Sequence, residues 1–182
     1  MKIEQSYQIF QKTSKHADCV ARIICFPGAV IFVVVILAQV FFRYVLHRPI
    51  EWYLEVVEIS YMWALFMGIS IAYKTGSHVQ FIFLFNKLGT KIQRYLACAC
   101  QFLALLFFVF MVIYGFKFFA FSKNYMMPTI EISQQWKFLC VPISGIILFI
   151  HTLELIFGNL VDMITKSDER TDFYRTIGGH AV

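Results

Sequence analysis

Residues 95–116 read YLACACQFLALLFFVFMVIYGF, a run of 22 positions without a charged side chain. A helix rises about 1.5 Å per residue, so this run forms a rod of about 33 Å, enough to cross a hydrocarbon core about 30 Å thick. Phe102, Phe107, Phe108 and Phe110 place rings around most of its circumference and leave no broad polar face for water. Lipid or an apolar partner groove suits such a helix.

Three more runs approach the same length. Ile23 to Phe42 is charge-free and rich in Val, Ile and Phe, and it starts too late and runs too long for the apolar core of a signal peptide. Leu54 to Tyr73 carries Glu55 and Glu58, and Phe138 to Val161 carries His151 and Glu154 in its second half. Pro49 and Pro128 push the residues before them out of helical geometry and mark turns. The apolar patch Phe81–Phe85, flanked by Gly76, Asn86 and Gly89, is too short to span and is expected in the membrane interface, as is the first segment, where Ile3, Tyr7 and Phe10 share a helical face. The sequence therefore predicts an all-α integral membrane protein with short interfacial helices. A cytoplasmic or interfacial segment covers 1–22, a four-helix transmembrane domain covers 23–161, with spans near 23–46, 52–73, 94–118 and 138–161, and a tail covers 162–182.

Composition excludes the common alternative. Of 182 residues, 59% are apolar and only 15% charged, and a soluble domain of this size exposes too much surface to hide that many apolar side chains. A soluble enzyme is not expected. The net charge of +5 comes from scattered basic residues with no nucleic-acid signature. Eleven of the 16 Lys and Arg fall in residues 1–22, 74–94 and after 161, while Arg43, Arg48, Lys117, Lys123 and Lys137 fall in the other connections. The positive-inside rule then places both termini in the cytoplasm, with residues 43–53 and 117–137 outside. Trp52, Trp136, Tyr44, Tyr53 and Tyr125 form an outer aromatic belt on that reading.

The charged residues near the spans invite pairing. Gln39, Arg43 and His47 make one polar stripe at the end of the first span, and Glu51, Glu55 and Glu58 make another at the start of the second. The short connection implies an antiparallel hairpin in which the stripes face each other. Glu58 lies about 9 Å deeper than Trp52 along a helix, and an intramembrane carboxylate needs a partner, for which Arg43 is the expected choice. A structural ion pair and a contact with another protein both remain open. Ser60, Ala64, Gly68, Ala72 and Gly76 recur every fourth residue and permit close helix approach, within this chain or against another subunit. His151 and Glu154 share a face, which suits a polar interface contact or, alternatively, a proton relay. Gln101 is expected to hydrogen-bond between helices.

Cofactor chemistry finds little support. The five cysteines include no CxxC pair and no zinc-ligand spacing. A b-type haem needs His ligands on facing helices, yet His47 and His78 lie in connections and only His151 lies within a span. Cys98 and Cys100 lack the outer partner pair of a membrane thiol oxidase. No cofactor and no metal are expected.

The stretch VFFRYVLHRPIEW, Val40 to Trp52, followed by Glu55, Trp63, Gly68, Gly76 and His78, resembles the R-Y-x-x-x-R-P-x-x-W, E, W, G and G-x-H pattern of the small membrane subunit of tripartite ATP-independent periplasmic (TRAP) transporters, the DctQ-like family. Pro128, Ile130, Ile132, Pro142 and Gly145 resemble its later segment, and the likeness runs from residue 36 to 160. Leu54 and Glu55 stand where the family commonly shows two adjacent acids, and Gln80 to Phe83 where it commonly shows an Asp.

The resemblance implies a division of labour in a bacterial inner membrane. A large membrane subunit, DctM-like, binds substrate and sodium and moves. A periplasmic substrate-binding protein, DctP-like, captures an organic acid such as a dicarboxylate or a sialic acid and docks outside. The small subunit is a fixed scaffold with no catalytic, substrate-binding or metal residue of its own, surrounded otherwise by membrane lipids. On this reading Arg43, Trp52, Glu55, Glu58, Trp63 and His78 belong to structural or partner contacts. Ala64, Gly68, Ala72, His151 and Glu154 join them, and Arg48, Lys123 and Lys137 attract an acidic surface of the binding protein. A stand-alone carrier would need polar residues aligned along the first, third and fourth spans, and a redox-enzyme anchor would need paired histidines. Neither pattern is present in the sequence.

Overall fold

Each apolar run folds as a helix; the first three helices outrun the stretches that seed them at both ends, and the last starts at Cys140 and runs on to Thr165. In the computed structural model, residues 2–75 and 90–165 are described, with side chains described for residue 8 and over 11–75 and 99–157. The elements are α1 (Lys2–Tyr44), α2 (Tyr53–Lys74), α3 (Thr90–Phe121), a 3-10 turn (Ser122–Asn124), the single turn α4 (Gln135–Phe138) and α5 (Cys140–Thr165). Gln11–Tyr44, Tyr53–Lys74, Ala99–Asn124 and Gln135–Phe157 are long and apolar enough to cross a membrane. The protein is thus an all-helical, multi-pass membrane protein. Among the described residues the one β-type feature is an isolated bridge between Met126 and Ser133. His78, Gly76, the patch Phe81–Phe85 and the tail from Lys166 lie outside the described residues.

The first span differs from expectation. No break separates residues 2–22 from the apolar run, and α1 continues for 43 residues, about 65 Å of helix. Ser14 and Ala21 are fully buried, so one face of the second half of the segment expected on the membrane surface packs against the bundle, while Lys12, Lys15, His16 and Arg22 on the other faces are exposed. Small side chains at these positions let neighbouring helices come close, which offsets the missing apolar bulk. Pro27 removes one helical hydrogen bond without ending α1. Gly28 beside it marks the crossing with α2: a Cβ there would lie 3.2 Å from the Ser60 carbonyl oxygen and 3.5 Å from the Ala64 Cβ.

The core is built where α1, α2 and α5 meet. Ala21, Met67 and Ile147 form its buried centre, with Ala17, Ile24, Cys25, Trp63, Ile71 and Ile143 packed around it. Helix α5 is the hub, touching α1, α2 and α3, and its apolar window is far more buried than those of the other spans. Helix α3 docks on α5 through two glycines. A Cβ on Gly115 would meet Pro142 N and Cδ at 3.1 Å, and one on Gly145 would meet Val112 Cγ2 at 2.9 Å. Gln101 and Phe108 also turn inward, Phe108 against Tyr73, while Phe102, Leu103, Leu106, Phe107 and Phe110 of α3 are exposed, as are Ile23, Phe26, Val34 and Leu37 on α1. Helices with satisfied backbones and apolar flanks of this kind are suited to lipid.

Candidate functional site

The end of the bundle that carries residues 45–52 and 122–139 holds most of the polar side chains singled out above. Its centre is Glu55 in the first turn of α2. The chain after the 3-10 turn doubles back: Gln134 N–H donates to Tyr125 O and Met127 N–H donates to Ile132 O, both at 2.8 Å. Pro128 opens the turn between them, and Glu131 closes it by donating to Met127 O at 3.1 Å, with a left-handed φ of 54°. In a helical turn the first N–H groups have no acceptor within the turn. Here Thr129 N–H and Ile130 N–H donate to Glu55 Oε1 and Oε2, each at 2.8 Å. One carboxylate thereby satisfies two backbone donors and fixes the hairpin on α2.

Two further contacts from α2 hold the chain beyond the hairpin. Lys137 Nζ donates to Glu58 Oε2 at 2.8 Å, and Trp63 Nε1–H donates to Trp136 O at 3.0 Å. The other connection is held from α1, where Gln39, 7% exposed, accepts from Ile50 N–H at 2.9 Å. Trp52, Tyr44, Tyr125 and Trp136 are exposed around this end, as amphipathic rings at a membrane boundary are.

Two expectations are corrected. Arg43 does not pair with Glu55 or Glu58, and it stands exposed at the end of α1. Glu55 is occupied by backbone N–H groups and Glu58 by Lys137. The reason is reach. Residues 125–137 fold back onto α2 and bring donors closer than the end of α1 does. For the same reason Lys137, whose side chain is only 14% exposed, is not a free charge for an acidic partner. Arg48 and Lys123 are exposed.

The small residues of α2 turn towards α1. Ala64 O accepts from Cys25 Sγ–H at 3.4 Å, and a Cβ on Gly68 would lie 3.7 Å from the same Sγ. Packing within the chain accounts for Ser60, Ala64 and Gly68, while Ala72 is half-buried. At the opposite end of the bundle His151, 1% exposed, has its Nδ1 2.7 Å from Ser14 Oγ, and Thr152 Oγ1 donates to Tyr73 OH at 3.1 Å. The partner of His151 is thus on α1. Glu154 is half-buried. No cluster of three His, Cys, Asp or Glu suited to a metal occurs among the described residues.

Sequence reading missed Ser14, Gly28 and Gly115. Each is a small residue outside the regular four-residue stripe, and its importance comes from what faces it. The Gly28 signal was available in the Pro27–Gly28 pair, which sits oddly in an otherwise bulky helix.

Comparison with known proteins places this geometry. The family model described as "Tripartite ATP-independent periplasmic transporters, DctQ component" matches residues 32–162, from within α1 to within α5. The chain is similar to the sialic acid TRAP transporter small permease protein SiaQ of Vibrio cholerae, 26% identical over 145 residues, which cover 80% of this chain and 83% of that protein. It is also similar to the sialic acid TRAP transporter permease protein SiaT of Haemophilus influenzae, 24% identical over 130 residues, 70% of this chain but only 21% of that longer protein.

Proposed function

The chain belongs to the DctQ component family of the tripartite ATP-independent periplasmic transporters, and from that premise we propose that it is the small scaffold subunit of such a transporter, supporting a large membrane subunit in sodium-driven uptake of an organic acid. The family is one of transporters, so the chain is not an enzyme. The observation that carries the scaffold reading is the match from α1 to α5, combined with spans that are strongly apolar. Among the described residues the buried hydroxyls within the spans, Ser60, Ser70, Ser144 and Thr152, donate to carbonyls of their own helices or to Tyr73 and bring no charge with which to hold an ion or a carboxylate. The substrate and sodium sites therefore belong to the large subunit.

Similarity to one fifth of a longer permease supports the same assignment, because the remaining length of such a protein has room for the moving component. The excess of Lys and Arg near the termini and in residues 74–94 supports an inner-membrane orientation with both termini in the cytoplasm. The Glu55-clasped end then faces the periplasm, where a substrate-binding protein delivers its cargo. A carboxylated sugar is the first substrate to test, since both relatives are named for sialic acid. The exposed faces of α1 and α3 contact lipid and the large subunit.

Reconstitution tests the proposal. Proteoliposomes holding the large subunit, with and without this chain, are given the binding protein and labelled carboxylates under an inward sodium gradient. Uptake is expected only when all three proteins and the gradient are present. Equal uptake without this chain overturns the scaffold role.

A further inference from the structure

Beyond the apolar centre of Ala21, Met67 and Ile147, towards the bundle end opposite the hairpin, the junction of α1, α2 and α5 turns polar. Two hydrogen bonds fix the helices against one another there: Ser14 Oγ lies 2.7 Å from His151 Nδ1, and Thr152 Oγ1 donates to Tyr73 OH at 3.1 Å. Lys74 follows Tyr73, and Asp18 stands one turn after Ser14 on the same face of α1. Three helices thus bring three buried polar atoms to one junction, Asp18 Oδ1, Lys74 Nζ and His151 Nε2, and no described residue gives any of them a hydrogen-bond partner. We propose that this junction is an internal water site: water bound between Asp18 Oδ1, Lys74 Nζ and His151 Nε2 completes their hydrogen bonds and ties the polar start of α1 to α2 and α5.

Three observations carry the inference. First, the three groups lie within electrostatic reach of one another without touching. The charges of Lys74 and Asp18 both act on His151, and that of Asp18 acts on Lys74, yet no direct hydrogen bond joins the inward-facing atoms. Arg22 takes the other Asp18 oxygen at 3.0 Å and leaves Oδ1 buried. Second, the imidazole has no outlet to solvent. His151 is 1% exposed, and with Nδ1 at Ser14 its Nε2 is left inside the junction. Buried polar atoms of this kind are where internal water is held, one molecule commonly bonding to about three of them. Third, the chemistry of the groups selects water over an ion. An ammonium only donates and a carboxylate only accepts. His151 Nε2 donates if Nδ1 accepts from Ser14 and accepts if Nδ1 donates, and water serves either tautomer. Lys15 and Arg22 act on Lys74 from one sign, Asp18 and Glu154 from the other, so a metal cation would meet an ammonium and an anion would meet carboxylates. The Asp18 and Arg22 side chains, 17% and 54% exposed, put the junction beside the surface from which water enters.

The test exposes the full chain, in lipid nanodiscs, to short X-ray pulses in isotopically labelled water. Hydroxyl radicals formed from bound water label the side chains that touch it, buried or not, and mass spectrometry reads the positions. His16, exposed on α1, and Met67, 0% exposed in the core, serve as internal references. His151 is expected to be labelled within about ten-fold of His16 while Met67 stays unlabelled, because water lies against the imidazole. A His151 as unreactive as Met67 overturns the water site and leaves a direct Asp18–Lys74 pair that excludes water. Labelling of Met67 at the same rate as His151 overturns it too, since water would then reach the whole core. Two double variants separate water from charge. Asp18→Asn with Lys74→Gln keeps polar atoms at the junction and is expected to keep the labelling of His151, whereas Asp18→Leu with Lys74→Met makes it apolar and is expected to lower that labelling about ten-fold. Undiminished labelling in the apolar pair overturns the site. If that pair does not fold, the comparison of His151 with His16 and Met67 in the natural sequence still decides.

Discussion

Replacing Gly115 by Ala separates two kinds of small residue that look alike in sequence. At Gly115 the new Cβ would stand 3.1 Å from Pro142 N and Cδ and 3.3 Å from Pro142 Cα. Comfortable carbon contacts begin near about 3.5 Å, so α5 has to retreat by about half an ångström. Proline offers no rotamer that would move these atoms aside. Overpacking of this sort costs about 1–3 kcal/mol, offset by up to about 1 kcal/mol from the better helix propensity of Ala. At Gly68 the new Cβ meets only Cys25 Sγ at 3.7 Å, an ordinary contact, and the propensity gain of up to about 1 kcal/mol survives. Gly115→Ala is thus expected to be about 1–3 kcal/mol less stable than Gly68→Ala. At about 2–4 °C per kcal/mol for a chain of this size, it melts several degrees lower. The assay is thermal unfolding of the purified chain in one detergent at one scan rate, followed by fluorescence of Trp52, Trp63 and Trp136. A third variant sharpens it: Gly145→Ala presses on Val112 Cγ2 at 2.9 Å, and adding Val112→Ala should restore part of the loss. If Gly115→Ala melts at or above Gly68→Ala, the close α3–α5 crossing is not what requires glycine.

Three further outcomes follow from the polar contacts. A double-mutant cycle on Glu58 and Lys137 should give a coupling of about 0.5–1 kcal/mol, since Glu58 is half exposed at 47%, while the same cycle on Glu58 and Arg43 should give none; the reverse result would restore the pairing that sequence suggested. Ser14→Ala removes the partner of a buried imidazole nitrogen 2.7 Å away and should destabilise the chain by about 1–3 kcal/mol, measured by the same melt. An unaltered melting temperature would mean that His151 does not depend on α1. Trp63→Phe keeps one aromatic ring but trims the indole and deletes the bond to Trp136 O, the lost bond alone costing about 0.5–1.5 kcal/mol; protease digestion should then cut more readily near residues 134–139, and equal cleavage would show that the bond does not hold that segment.

The four spans were readable directly, because a bilayer demands about 20 apolar residues per crossing and no other arrangement of these runs hides them. Glu55, Glu58 and Trp63 stood out for a similar reason: a carboxylate or an indole near a span has to find a partner, so its presence is informative even when the partner is unknown. What they partner was decided by tertiary structure. Arg43 lies twelve residues from Glu55 and looked like its counter-charge, but Glu55 reaches across to Thr129 and Ile130. Periodicity reports which residues share a helix face. It carries no information on which remote segment folds over that face. The extension of α1 back through Ser14 was hidden likewise, since residues 1–22 are polar enough to suit a surface and only the nearness of α2 and α5 gives Ser14 and Ala21 something to be buried against. Sequence by itself therefore determined that this chain has four runs long and apolar enough to cross a membrane and where its charges need company. Only the tertiary fold, with residues 125–137 returning over α2, decided which partners those charges meet, because long-range contacts depend on how elements meet in space, and the α1–α2 crossing at Gly28 and the α3–α5 crossing at Gly115 and Gly145 leave no periodic trace in the chain.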